Sequence, residues 1–274
     1  MPIESLFSQT SNLPNIPKVI KQLIEQFNSG DFSANDISKS IQMDQVLSAK
    51  IIRLANSARY GAGRKISGID SAVVMLGMDV LKTLVIASGI VGAFKEIEAF
   101  DKKSFWRDSF MVASMCKLIA KHTTSDPETA FTCGIMHNIG ELLIHIAHPE
   151  CAHKIDQLVQ AGAHRCDLQD NQFSYNYTQV GAELAKRWNF PDDIIQALRQ
   201  QATPNEFDHY SAYASIIYLA NYLNDAFKSN KPPEDVLADF PNEITKPLGI
   251  NLVSFFESVI ELTQAEDDID AILA

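Results

Sequence analysis

Apolar residues in this chain recur at helical spacing, and nowhere do apolar and polar residues alternate for long enough to build a strand. After Pro17, the residues Val19, Ile20, Leu23, Ile24 and Phe27 form one stripe, which Gly30 ends. Ser33 or Asn35 caps a short helix through Met43, and Asp44 opens another with Leu47, Ile51 and Leu54 on one face. The pattern resumes from Lys103 with Phe105, Ser109, Val112, Cys116 and Ile119. Asp126-Pro127-Glu128 starts a helix that runs into His137, with proline in its first turn and acids at the positive end of its dipole. Further helices are predicted over 142–148, from Pro149, over 180–188, 191–200 and 210–227, and finally over 252–263. Residues 168–176 read as polar and irregular, and Pro232, Pro233, Pro241 and Pro247 as an ordered but irregular connection. Only 12 of 274 residues are glycine, so tight turns are few. The fold class is all-α, a globular assembly of many short helices.

Charge narrows the partners. Lys and Arg number 23 against 34 Asp and Glu, a formal charge of −11. Such a chain repels nucleic acid and anionic membranes at long range, so neither is expected as a partner. Cys116, Cys133, Cys151 and Cys166 have no CxxC spacing and read as reduced, packed side chains. Met1-Pro2-Ile3-Glu4 opens without a basic or apolar leader, and a cytoplasmic location is expected. The most apolar stretch, Ala72 to Phe94, carries Asp79 and Lys82, with Gly77 reading as a break. Each charge would cost ~2.5–3.5 kcal/mol at a bilayer centre, so the stretch reads as two buried helices.

The first candidate for chemistry is His137, in Gly134-Ile135-Met136-His137-Asn138-Ile139-Gly140. A hydrolytic metal needs several converging imidazoles and carboxylates and an open position for water. Asn138 offers only a neutral amide. His137, Glu141, His145 and His148 share one face of a continuous helix, but the first and last lie ~16 Å apart at 1.5 Å per residue, and the stripe reads as a solvated polar face. No GxSxG elbow occurs, and Gly61-Ala62-Gly63-Arg64-Lys65 lacks the spacing of a phosphate loop.

Several segments together resemble the HDOD family, a branch of the HD-domain superfamily of metal-dependent phosphohydrolases. They are Leu13-Pro14, Leu54-Ala55-Asn56-Ser57-Ala58-Arg59-Tyr60-Gly61, Ala72 to Gly77, Phe105-Trp106-Arg107, Gly134 to Gly140, Val180-Gly181-Ala182 and Trp188-Asn189-Phe190-Pro191. The resemblance implies two packed helical lobes: residues 1–100, then a degenerate HD-like lobe over 101–229, followed by a connection, a last helix and an acidic tail over 230–274. It also implies where the catalytic residues of an HD enzyme would stand. The first histidine falls on Asp108, the His-Asp doublet on His137-Asn138, and a later histidine on Tyr177. A histidine pair falls on Gln200-Gln201, and the last aspartate on Asn221. Of the core ligand positions only His137 keeps its residue type. The expectation is a non-catalytic regulatory protein of bacterial signal transduction, with no metal and no cofactor, acting through protein–protein contact. A residual phosphohydrolase, or a nucleotide sensor using the former cleft, are the alternatives.

Two further features bear on partners. Lys50, Arg53, Arg59, Arg64 and Lys65 form a basic patch, with no acid between Asp44 and Asp70, suited to a phosphate or an acidic partner surface. The tail from Leu262 to Leu273 is acidic with Ile269, Ile272 and Leu273 at i, i+3 and i+4. It is similar to the short peptide by which the flagellar switch protein captures the chemotaxis receiver, with one extra residue interrupting the match. That likeness implies a helix-in-groove docking peptide for a receiver-type domain, with those three residues as anchors.

Overall fold

The computed structural model describes residues 3–9, 14, 16–29, 33–56, 66–94, 100–250 and 255. Every regular element among them is a helix. They divide into two compact units. One contains α2 (Lys18–Ser29), α3 (Ala34–Gln42), α4 (Gln45–Ala55) and α5 (Ile69–Ala93); the other contains α1 (Ile3–Gln9) and every helix from Lys102 onward.

In the first unit α2, α3 and α4 pack on α5. The stripe after Pro17 faces inward, with Ile20, Leu23 and Ile24 buried. Ser33 caps α3 in a reciprocal pair: its hydroxyl accepts from the Asp36 N–H, and Asp36 Oδ2 accepts from the Ser33 N–H at 3.2 Å. Asp44 Oδ1 accepts from the Val46 and Leu47 N–H groups at 2.9 and 3.0 Å to open α4. Asn56 ends it. Its amide donates to the carbonyls of Ile52 and Ile66 at 2.8 and 2.7 Å, and its Oδ1 accepts from the Ile66 N–H at 2.8 Å. One side chain thus ties the end of α4 to the chain ten residues on. The 25-residue α5 is long and apolar enough to cross a membrane, with a mean hydropathy of 1.8. It breaks where the sequence suggested: Gly77 sits at φ 76°, ψ 163°, a left-handed conformation that glycine tolerates and other residues resist. Residues on both sides of the break, Leu76 and Leu81 among them, are buried.

The second unit is built from α6 (Lys102–Lys121), α7 (Pro127–Met136), α8 (Ile139–Ala147), α9 (Pro149–Gln160), α10 (Arg165–Phe173), α11 (Tyr177–Arg187), α12 (Asp192–Gln200) and α13 (Ala212–Lys228). Asp101 caps α6 and Asp126 caps α7, each accepting from the backbone N–H three residues on, and Pro127 opens α7. Asn176 and Gln179 form the reciprocal cap of α11. Trp106, Phe110, Ile119, Ile135, Leu142, Val180, Leu198 and Ile217 are buried in its core. Helix α6 packs on α7 and α13, and α8 on α11. The last contact is very close. A Cβ on Gly140 would stand 2.0 Å from the Tyr177 carbonyl oxygen and 2.8 Å from the Gly181 nitrogen, so only glycine fits there.

Two expectations are corrected. Of residues 168–176, read as irregular, only 174–176 are so, and 168–173 belong to α10, which starts at Arg165. Its buried side is Gln169 and Phe173, so the inward face carries too little apolar signal to be read as a helix. The proline-rich connection contains α14 (Pro233–Ala238), α15 (Asn242–Thr245) and a 3-10 turn over Lys246–Leu248. Pro233 stands at a helix start, where its missing N–H costs nothing. The predicted helix over 252–263 lies outside the described residues, apart from the buried Phe255.

Candidate functional site

The positions that the HD resemblance singles out come from helices that pack on one another: α6, the α7–α8 junction, α11, α12 and α13. His137 ends α7 and is 2% exposed. Its Nδ1–H donates to the Gly134 carbonyl at 2.7 Å. Burial pulls the imidazole pKa down to about 4, against the hydrogen bond to Gly134 and the nearby Asp108 carboxylate, which act the other way. The ring is therefore neutral at pH 7 and a weak base. Asp108 is held by Lys228 of α13, whose Nζ donates to Oδ2 at 2.6 Å. That ammonium also acts on His137, and it flanks Asp225, whose carboxyl burial pushes upward.

Of the remaining positions only Gln201 bonds to this centre, among the described residues. Gln201 donates to the backbone carbonyls of His137 and Leu198 at 2.8 and 3.0 Å. Gln200 reaches only Gln196 of its own helix, at 3.5 Å. Asn138 opens α8 without capping it through its side chain. Tyr177 begins α11, and burial pushes its phenol well above the usual range. Asn221 is half-buried on α13, one turn before Asp225. Among the described residues Asp108 bonds to Lys228, His137 and Gln201 to backbone carbonyls and Gln200 to Gln196, and no hydrogen bond joins two of the seven side chains to each other.

This donor set does not fit the metal of an HD enzyme. It offers one neutral imidazole, amides, a phenol and a single carboxylate already paired with an ammonium. Divalent transition metals bind through several imidazoles, thiolates or carboxylates. Lys228 and Asp225 escaped the sequence reading, although they lie at i+7 and i+4 from Asn221 on one helix face.

A second polar system was misread. The stripe of Glu141, His145 and His148 is no solvated face. Glu141 is 7% and His145 4% exposed, and the helix is interrupted between Met136 and Ile139. Arg165 Nη1 donates to Glu141 Oε2 at 2.9 Å and to Asp156 Oδ1 at 2.7 Å. Gln169 donates to Glu141 Oε1 at 2.6 Å, and its own oxygen accepts from the Tyr177 N–H at 2.8 Å. One network thus joins α8, α9, α10 and the start of α11. His148 stands apart, stacked on Phe173 and 3.1 Å from the Tyr175 hydroxyl.

His145 is the unusual member. Its Nδ1 faces the Glu141 carbonyl at 3.0 Å and its Nε2 faces Asp156 Oδ2 at 2.8 Å. Two acceptors are satisfied together only by a doubly protonated ring. Burial opposes that charge, but the bonds to Asp156 and the Glu141 carbonyl outweigh it and the pKa is raised. For Asp156 burial again works upward, and the bonds from His145 and Arg165 bring the carboxyl below its usual value. For Glu141 burial prevails over Arg165 and Gln169, and the pKa is raised.

Of the basic patch, Lys50 is half-buried and Arg53 exposed on α4, at i and i+3. Arg59, Arg64 and Lys65 lie outside the described residues, as do Ile269, Ile272 and Leu273. The four cysteines are free thiols. Cys116 and Cys133 are buried, while Cys151 and Cys166 are partly exposed.

Comparison with known proteins gives one family. A provisionally assigned phosphohydrolase from Shewanella amazonensis is 34% identical, with 98% of each chain covered and a TM-score of 0.85. An HDOD domain protein of unknown function from Geobacter sulfurreducens shares the fold at 23% identity, with 97% of this chain and 96% of that one covered and a TM-score of 0.80. An uncharacterised protein of Treponema pallidum is 25% identical over 238 residues, 85% of this chain. The chain spans 46% of that curated relative's length. The HDOD domain pattern itself matches residues 13–204, from Leu13 ahead of α2 to Pro204 just after α12, and the chain belongs to the HDOD family.

Proposed function

We propose that this protein is a non-catalytic HDOD regulator that works in the cytoplasm by binding other proteins of a bacterial signalling pathway. One observation carries the reading: the carboxylate at the first HD position, Asp108, is engaged by the Lys228 ammonium beside a neutral, buried His137. A positive side chain sits where a hydrolase would need its donors free for a metal. A provisionally assigned signal transduction protein from Marinobacter aquaeolei shares the fold, at 20% identity and a TM-score of 0.81 over 98% of this chain and 60% of that one. The partner surfaces we favour are the basic patch around Arg53 and the acidic tail with Ile269, Ile272 and Leu273, the latter for a receiver-type domain.

The Shewanella relative's description makes hydrolysis the reading to test against. The full chain is assayed with a chromogenic phosphodiester and with nucleotides, with Mn, Fe(II) or Ni added in turn. The expected rate equals the blank for the protein and for His137→Ala. Turnover that depends on added metal and disappears in His137→Ala would overturn the reading.

A further inference from the structure

We propose that His145, His153 and Asp156 bind one zinc-class divalent ion, at a site separate from the former catalytic cleft. One ligand atom from each of the three lies within 4.8 Å of the others. His153 and Asp156 stand at i and i+3 on α9 and so share a face. His145 comes from α8, with its ring 5.8 Å from that of His153 and nearly perpendicular to it. No motif spacing announces the set, because the third ligand comes from a different helix.

The surroundings are already those of a coordination site. A metal-bound histidine usually donates its other N–H to a carbonyl or carboxylate, which fixes the tautomer and aims the ring. Here His145 Nδ1 faces the Glu141 carbonyl, which leaves Nε2 as the ligand. Asp156 is oriented likewise. Arg165 occupies its Oδ1 and leaves Oδ2 against His145 Nε2. Between those two facing acceptors something positive must sit, a proton or a cation. A zinc ion there would displace the Nε2 proton to solvent and be faced by Glu141, His153, Asp156 and Arg165.

The adjustments are small. Zinc bonds of ~2.0–2.2 Å in a tetrahedron set ligand atoms ~3.3 Å apart. The His145–Asp156 pair must open from 2.8 Å, and His153, exposed at the helix surface, must swing inward. The exposure of His153 leaves the fourth position to water or to a partner's side chain. Two imidazoles and a carboxylate suit zinc, nickel or copper rather than magnesium or calcium, which take oxygen ligands.

The test uses the full chain stripped with a chelator and then dialysed free of it. Zinc titrated by calorimetry should bind with one equivalent per chain. His153→Ala, at an exposed position, should weaken that binding at least tenfold with an unchanged melting temperature, and Asp156→Asn should weaken it similarly. His137→Ala should leave it unchanged, which separates this result from the hydrolysis assay. Cobalt in place of zinc should give visible d–d bands without the thiolate charge-transfer band that Cys151 or Cys166 would cause. Less than half an equivalent of zinc, equal affinity in His153→Ala, or a thiolate band would overturn the proposal.

Discussion

Replacing Arg165 with methionine tests whether the buried network supports this fold or merely decorates it. The guanidinium makes two charge-assisted bonds, to Glu141 at 2.9 Å and to Asp156 at 2.7 Å. Without it Glu141, whose side chain is 9% exposed, keeps Gln169 as its side-chain donor and only the His145 ring, with Nδ1 3.9 Å from Oε2, as a positive neighbour. Removing one partner of a buried pair costs about 3–5 kcal/mol. Arg165 and Asp156 are 27% and 29% exposed, so water recovers part of the loss on the Asp156 side. The expected cost is therefore near the lower end, ~3 kcal/mol at pH 7. Its pH dependence has a definite sign. Glu141 already has a folded pKa above its ordinary value of 4.5, and losing Arg165 raises it further. A carboxyl raised on folding destabilises fully above its folded pKa and not at all below its unfolded one. The deficit should thus shrink as pH falls from 7 towards 4.5. Urea denaturation of both proteins across that range measures it, with the His145–Asp156 pair present in both. Glu141→Gln combined with Arg165→Met should regain most of the loss, because no uncompensated charge remains. A single-variant cost below ~1 kcal/mol at pH 7, or one that does not change with pH, would refute the reasoning.

Gly140→Ala should be more damaging than its size suggests. The new methyl meets the Tyr177 carbonyl and the Gly181 nitrogen, both backbone, and overpacking of this kind costs ~1–3 kcal/mol or more; a melting temperature within a degree of the parent would show that α8 and α11 are free to part. Deleting residues 264–274 should abolish capture by a panel of purified receiver domains from the same organism while shifting the melting temperature by only a few degrees. A large loss of stability on that deletion would assign the tail to the core.

What could be read from the sequence was local. Ser33, Asp44 and Asp126 were readable as caps, because a cap is a contact between residues two or three apart, whereas the caps at Asp101 and Asn176 went unread. The break at Gly77 was readable for the same reason: glycine and the charges after it lie in one short window. Helix α10 was not, since the residues it buries are a glutamine and a phenylalanine four apart. Gln169 satisfies both ends of its amide, on Glu141 and on the Tyr177 N–H, and those partners are 28 and 8 positions away.

The same distance problem hid the site. A stripe containing Glu141 and His145 looks like a wet face until Asp156, Arg165 and Gln169 are brought to it by other helices. Asp108 looks like an open carboxylate until Lys228, 120 residues later, is laid against it. The two polar systems also differ in what they ask of the fold. Asp108 and Lys228 are 43% and 49% exposed, and an ion pair in that position contributes little to stability, ~0–1 kcal/mol. The Glu141 network is buried, and a buried charge is tolerated only when its partners are held in register. The arrangement of α8, α9, α10 and α11 brings Arg165 between Glu141 and Asp156 while setting Gln169 under the first N–H of α11. The buried Glu141 charge thus ties the register of these helices, while the Asp108 charge lies half-exposed and is neutralised by Lys228.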